Sequence, residues 1–67
     1  MWAVWQDFVY GSVIVELCPS LDSALARAEK WRKKELKGRA NMSPDQYSEF
    51  VVSELADDFD PSPYMVG

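Results

Sequence analysis

Trp2-Ala3-Val4-Trp5-Gln6-Asp7-Phe8-Val9-Tyr10-Gly11-Ser12-Val13-Ile14-Val15-Glu16-Leu17-Cys18 is the stretch on which the fold turns. It is dominated by β-branched and aromatic side chains, which suit a pleated, half-buried surface. Its one punctuation mark is Tyr10-Gly11-Ser12, where glycine can take the positive φ of a tight hairpin. The pattern predicts two antiparallel strands, about 2–9 and 12–18. A turn at Gln6-Asp7 is the alternative, and it would shorten the first strand. Alternation is imperfect: Val4-Trp5 and Val13-Ile14-Val15 place apolar groups on both faces. Both faces therefore need cover, from a helix, the C-terminal tail or another subunit.

Pro19 ends the second strand because it has no N–H for the ladder. Ser20 follows as an N-cap, with Asp22 in the first helical turn, where the dipole favours a negative charge. The periodicity predicts a helix over 21–37. Leu21, Ala24, Leu25, Ala28, Trp31 and, less centrally, Leu36 share the expected core face. Arg27, Lys30, Lys33, Lys34 and Lys37 fall opposite. Glu29–Lys33 and Glu35–Arg39 are i,i+4 pairs in the favourable order. Gly38 stands where a C′ glycine belongs.

Further on, Ser43-Pro44-Asp45-Gln46 has the form of a capping box, Ser43 at the N-cap, Pro44 at N1 and Gln46 at N3. It predicts a second helix over 44–58, with Tyr47, Phe50, Val51, Leu55 and Phe59 as its stripe and Val52 broadening it. Pro61 and Pro63 stop that helix. The expected fold class is α+β, a two-stranded antiparallel hairpin followed by two helices (ββαα). Residues 1–60 form one small domain and 61–67 an extended tail, which can still dock Tyr64 and Met65. Two strands alone make a marginal sheet, and an exposed strand rich in Trp and Val is an edge liability. Both arguments predict a homodimer that completes the sheet, or a hairpin buried against a partner.

Composition narrows the function classes. The chain has 67 residues, one cysteine and no histidine. Such a length excludes a multi-domain enzyme, and a single cysteine excludes an internal disulfide. Without histidine there is no Ser-His or Cys-His catalysis, and the commonest zinc ligand is missing. The three glycines are isolated, so there is no phosphate loop. Cys18 has no base to activate it and reads as a packing residue. No catalytic residue, metal or cofactor is expected. No apolar run, neither Met1–Trp5 nor Val13-Ile14-Val15, approaches the length of a membrane span. Asp7 interrupts the N-terminal apolar stretch and no base precedes it, so no signal peptide is expected. The expected location is cytoplasmic.

The net charge of −4 is unevenly spread. All seven basic residues lie between Arg27 and Arg39, a block that nets +5. Residues 1–26 net −3 and residues 40–67 net −6. Two candidate binding surfaces follow. The acidic one comprises Asp45, Glu49, Glu54, Asp57, Asp58 and Asp60, which present a phosphate-like field to a basic protein partner, steered by long-range attraction. The basic one comprises Arg27, Lys30, Lys33, Lys34 and Lys37, positioned to neutralise nucleic-acid phosphates. The bland alternative is that the basic helix and acidic C-terminal third face each other and cancel, or are merely solvated.

Met1-Trp2-Ala3-Val4-Trp5, the Gly11 turn and Pro19-Ser20-Leu21-Asp22-Ser23-Ala24-Leu25-Ala26 together resemble the small open reading frames of bacteriophages and mobile elements. The resemblance covers residues 1–31 and carries no functional residues over. It implies a non-enzymatic accessory protein that inhibits or modulates a host macromolecule by binding. The expected partner is a basic nucleic-acid-binding host protein, in the host cytoplasm if the chain is phage-encoded. A nucleic-acid-associated protein and a structural subunit of an assembly are the alternatives.

Overall fold

The computed structural model describes residues 1–65, Asp45 by its backbone alone. Its elements run β1 (Trp2–Phe8), β2 (Gly11–Cys18), α1 (Leu21–Gly38) and β3 (Glu49–Glu54), with short 3-10 turns at Arg39–Asn41, Pro44–Gln46 and Ser62–Tyr64. The sheet has three strands in the order β2-β1-β3, and β1 is antiparallel to both neighbours. The α+β class and the hairpin are as the sequence predicts. Phe8 pairs with Gly11 across Val9-Tyr10, and Gly11 has φ +138°, a conformation that favours glycine.

A bulge resolves the imperfect alternation. Val4 pairs with Glu16 and Trp5 with Ile14, so Val15 is the extra residue on β2. Val15 packs against the core under the helix, whereas Ile14 belongs to the core on the other face.

Helix α1 starts as expected. The Ser23 N–H donates to Ser20 Oγ at 3.2 Å, and the Ser23 hydroxyl is returned to the Ser20 backbone. Ala24 and Ala28 are fully buried, which lets the helix approach the sheet closely over Val4, Cys18 and Phe50. Trp31 stacks on Phe50 with ring centres 6.0 Å apart. Leu21, Leu25 and Leu36 are not core residues; they are exposed. The sheet touches the line Ala24, Ala28, Trp31 and Glu35, leaving these leucines to one side. Gly38 lies within the helix at φ −92°, so it is not a left-handed C′ residue, and the chain continues straight into the Arg39–Asn41 turn.

The second helix over 44–58 does not form. Gln46 Oε1 does accept from the Ser43 N–H at 3.0 Å, but that cap serves one 3-10 turn only. Residues 49–54 instead form β3, with Val4 opposite Val52 and Gln6 opposite Phe50. The stripe expected on one helix face is thus divided between two sheet faces. Phe50 and Val52 lie under α1; Leu55 joins Ala3, Ile14, Trp5 and Leu17 on the opposite face. The third strand comes from the same chain, so no second subunit is needed to complete the sheet.

The C-terminal segment covers that opposite face. Asp60 Oδ1 accepts from the Ser62 N–H at 3.0 Å, starting the 3-10 turn. Tyr64 meets Trp5 edge-on at 5.5 Å and stacks on Phe59 at 5.6 Å. Met65 makes a parallel bridge to Ile14. Both sheet faces are therefore covered, one by α1 and the other by the tail.

Candidate functional site

The six acidic candidates do not form one surface. Glu49 and Glu54 stand at opposite ends of β3, roughly 17 Å apart at the rise of a strand. Register places the Glu54 side chain on the helix face beside Trp2, and Glu49 on the tail face across from Asp7. The side chain of Asp45 lies outside the described residues. Asp57, Asp58 and Asp60 follow β3 and are exposed. The Ser62 N–H, with the Ser62 side chain, holds the Asp60 carboxyl below its usual value.

Beside Asp57 the tail leaves a hollow of about 240 Å³, walled by Met1, Leu17, Leu55, Ala56, Phe59 and Pro61. Asp57 itself contributes to the wall. The elements explain it. Leu55 donates its N–H to the Met1 carbonyl at 2.9 Å, fixing the floor, and the turn closed by Phe59 N–H to Ala56 O at 3.0 Å raises the rim. Sequence reasoning found Asp57 and Asp58 but not this wall, because Met1, Leu17 and Phe59 converge only once β3 pairs with β1. A further apolar feature is the exposed hairpin tip Phe8-Val9-Tyr10, where the sequence predicts strand through Val9 and the structure ends β1 at Phe8.

The basic candidates separate into one committed residue and four available ones. Arg27 Nε lies 2.6 Å from Glu16 Oε2, and Trp31 Nε1 donates to the same carboxylate at 3.2 Å. Partial burial works to raise the Glu16 carboxyl, but Arg27, Trp31 and Lys30 together hold it below its ordinary 4.5. Lys30, Lys33, Lys34 and Lys37 are exposed along two turns of α1, and Lys34 Nζ sits 5.2 Å from the Trp31 ring centre. Among the described residues the ion pairs are Arg27–Glu16, Arg32–Glu29 and Arg39–Glu35. None of these joins the basic helix to a described acidic side chain of the segment after it. The predicted Glu35–Arg39 pair is present; Glu29 pairs with Arg32 rather than Lys33.

Cys18 is buried against the Val4, Ala24 and Ala28 core, a packing position. Among the described residues no group of three Asp, Glu, Cys or His side chains gathers to hold a metal ion, and no helix is long and apolar enough to cross a membrane. No protein-family model, curated protein or solved structure matches the chain.

Proposed function

We propose that this chain is a non-enzymatic binding protein, a phage-type modulator that docks a basic host protein at the apolar hollow beside Asp57. The observation that carries the reading is the hollow itself: an apolar wall from three stretches of the chain, the N-terminus, β2 and residues 55–61, with Asp57 in it and Asp58 next in sequence. Apolar anchors in such hollows supply affinity, and the surrounding charge supplies steering and register. The fitting partner segment is a basic one with a single large apolar side chain. The acidic surface is then narrower than the six residues suggest, and centres on Asp57 and Asp58.

The test compares the intact protein with D57N/D58N/D60N as bait against source-cell extract, at low and at moderate salt. Asparagine keeps the Asp60 oxygen that Ser62 uses. Capture of a basic protein by the parent, lost in the variant and weakened by salt, supports the reading. Equal capture by both sinks it.

A second reading rests on Lys30, Lys33, Lys34 and Lys37, which line one exposed arc of α1 and are absent from every described ion pair. Such a row can track a phosphate backbone. A gel shift at low salt that is abolished by alanine at these four positions favours it; no retention of DNA or RNA at low salt ends it.

A further inference from the structure

The outer edge of β3 is unpaired by any described strand, and its geometry is self-complementary. Leu55 donates its N–H to the Met1 carbonyl. Antiparallel alternation then turns the main-chain groups of Glu49, Val51 and Ser53 toward β1, and those of Phe50, Val52 and Glu54 outward. The Phe50 carbonyl confirms this, since Arg32 reaches over the edge and donates to it at 2.8 Å.

The helix surface above the same edge carries a row of leucines beside Arg32. Arg32 marks the side of α1 that faces the edge. Leu25 lies seven residues before it, Leu36 four after it, and Leu21 four before Leu25, all on one side of a 3.6-residue helix. These three leucines are 41%, 49% and 57% exposed in chain order. Leucine that does not reach its own core, aligned in a row beside a strand edge with no strand partner, is the pattern an interface presents.

We infer that this edge binds a second copy of the chain, with β3 pairing antiparallel to its partner's β3 about a two-fold axis through Val52. This register is the one that uses all three outward-facing residues on each strand. Val52 meets its own copy, and Phe50 of one protomer meets Glu54 of the other. Charge fixes the same register. Glu54 and Phe50 both point to the helix face, and Arg32 sits beside Phe50. Each Glu54 therefore comes next to the Arg32 that caps its partner's Phe50. The two helices lie on one face of a six-stranded sheet, with their leucine rows turned toward each other. The contact is isologous, so it closes at two copies. It does not involve Asp57, Asp58 or the hollow, and its failure leaves the proposed docking function standing.

Sedimentation equilibrium with the full chain tests it. The parent is expected to dimerise, and L25E/L36E to be monomeric with an unchanged far-ultraviolet spectrum. R32E alone and E54R alone each place like charges at both contacts, and each is expected to weaken the dimer about tenfold. Mixing R32E with E54R restores opposite charges at both contacts, so the mixture is expected to recover a heterodimer. A monomeric parent at high concentration overturns the inference. So does a dimer indifferent to L25E/L36E, or a mixture no tighter than its components.

Discussion

Ser48 gives both its backbone N–H and its hydroxyl to a single oxygen of Glu35, at 2.8 and 2.6 Å. Arg39 holds the other oxygen at 3.0 Å, and Gln6 donates to the Ser48 hydroxyl at 3.0 Å. The last turns of α1 are thereby tied to β1 and to the entry of β3. The Glu35 side chain is only 9% exposed. Burial works to raise its carboxyl, but the two Ser48 bonds and Arg39 outweigh it and hold the group below its ordinary 4.5. Removing the hydroxyl in Ser48→Ala takes away a bond to a charged group, an expected loss of about 1.5–3 kcal/mol. For a domain of this size that lowers the melting temperature by roughly 6 °C or more. A calorimetric scan showing no decrease would refute the assignment.

The same carboxylate sets a pH dependence. Glu35 and Glu16 both titrate below 4.5 in the folded protein. Each therefore contributes stability that is fully present above 4.5 and is lost as pH falls through that value and on through the lowered folded one. Urea midpoints are expected to be flat near neutrality and to drop in this acid window. Glu35→Gln is expected to lower the neutral midpoint and flatten the acid decline, since the variant has no proton to take up at that position. An acid decline of unchanged steepness in the variant would contradict the role given to Glu35.

Two glycines are expected to respond to alanine with opposite signs. Gly11 holds φ +138° at the hairpin, where a Cβ is strained although nothing lies within 4 Å of it. Gly11→Ala is expected to cost more than about 1 kcal/mol. Gly38 is helical and a Cβ there also meets nothing within 4 Å. Gly38→Ala is expected to gain about 0.4–1 kcal/mol by restricting the unfolded chain. Chemical denaturation of the two variants side by side measures both, and a shared sign would be inconsistent with the backbone described.

Much of the first half of the fold was legible because local signals and global demand agreed there. The β-branched run, Gly11, Pro19 and Ser20 each specify what the structure uses. The second half misled because one pattern served two structures. Tyr47, Phe50 and Val51 fit a helical stripe, and Ser43 with Gln46 fits a helical cap. The deciding consideration was β1, which is apolar on both faces and unpaired on one edge. Val51-Val52 and the alternation of Phe50 and Val52 against Val51 and Ser53 suit the strand that fills it. The hollow beside Asp57 was not legible, since its wall assembles only through that pairing. Leu21, Leu25 and Leu36 were misplaced for a related reason: small Ala24 and Ala28 set the contact line, not the largest side chains.

Tyr64 touches both Trp5 and Phe59, so it anchors the segment that covers the second sheet face. Aromatic pairs of this kind contribute about 0.5–1.5 kcal/mol each beyond burial. Tyr64→Ala is expected to destabilise the fold by about 1–3 kcal/mol and to open the Ile14–Met65 bridge. Tryptophan emission should become more accessible to acrylamide as Trp5 loses its cover. Tyr10 is the control, an aromatic of the same type that projects from the hairpin tip, exposed. Tyr10→Ala should stay within about 0.5 kcal/mol of the parent, with quenching unchanged. If Tyr64→Ala behaves like Tyr10→Ala, the tail does not hold the second face, and Trp5 and Ile14 must be shielded in solution by something else.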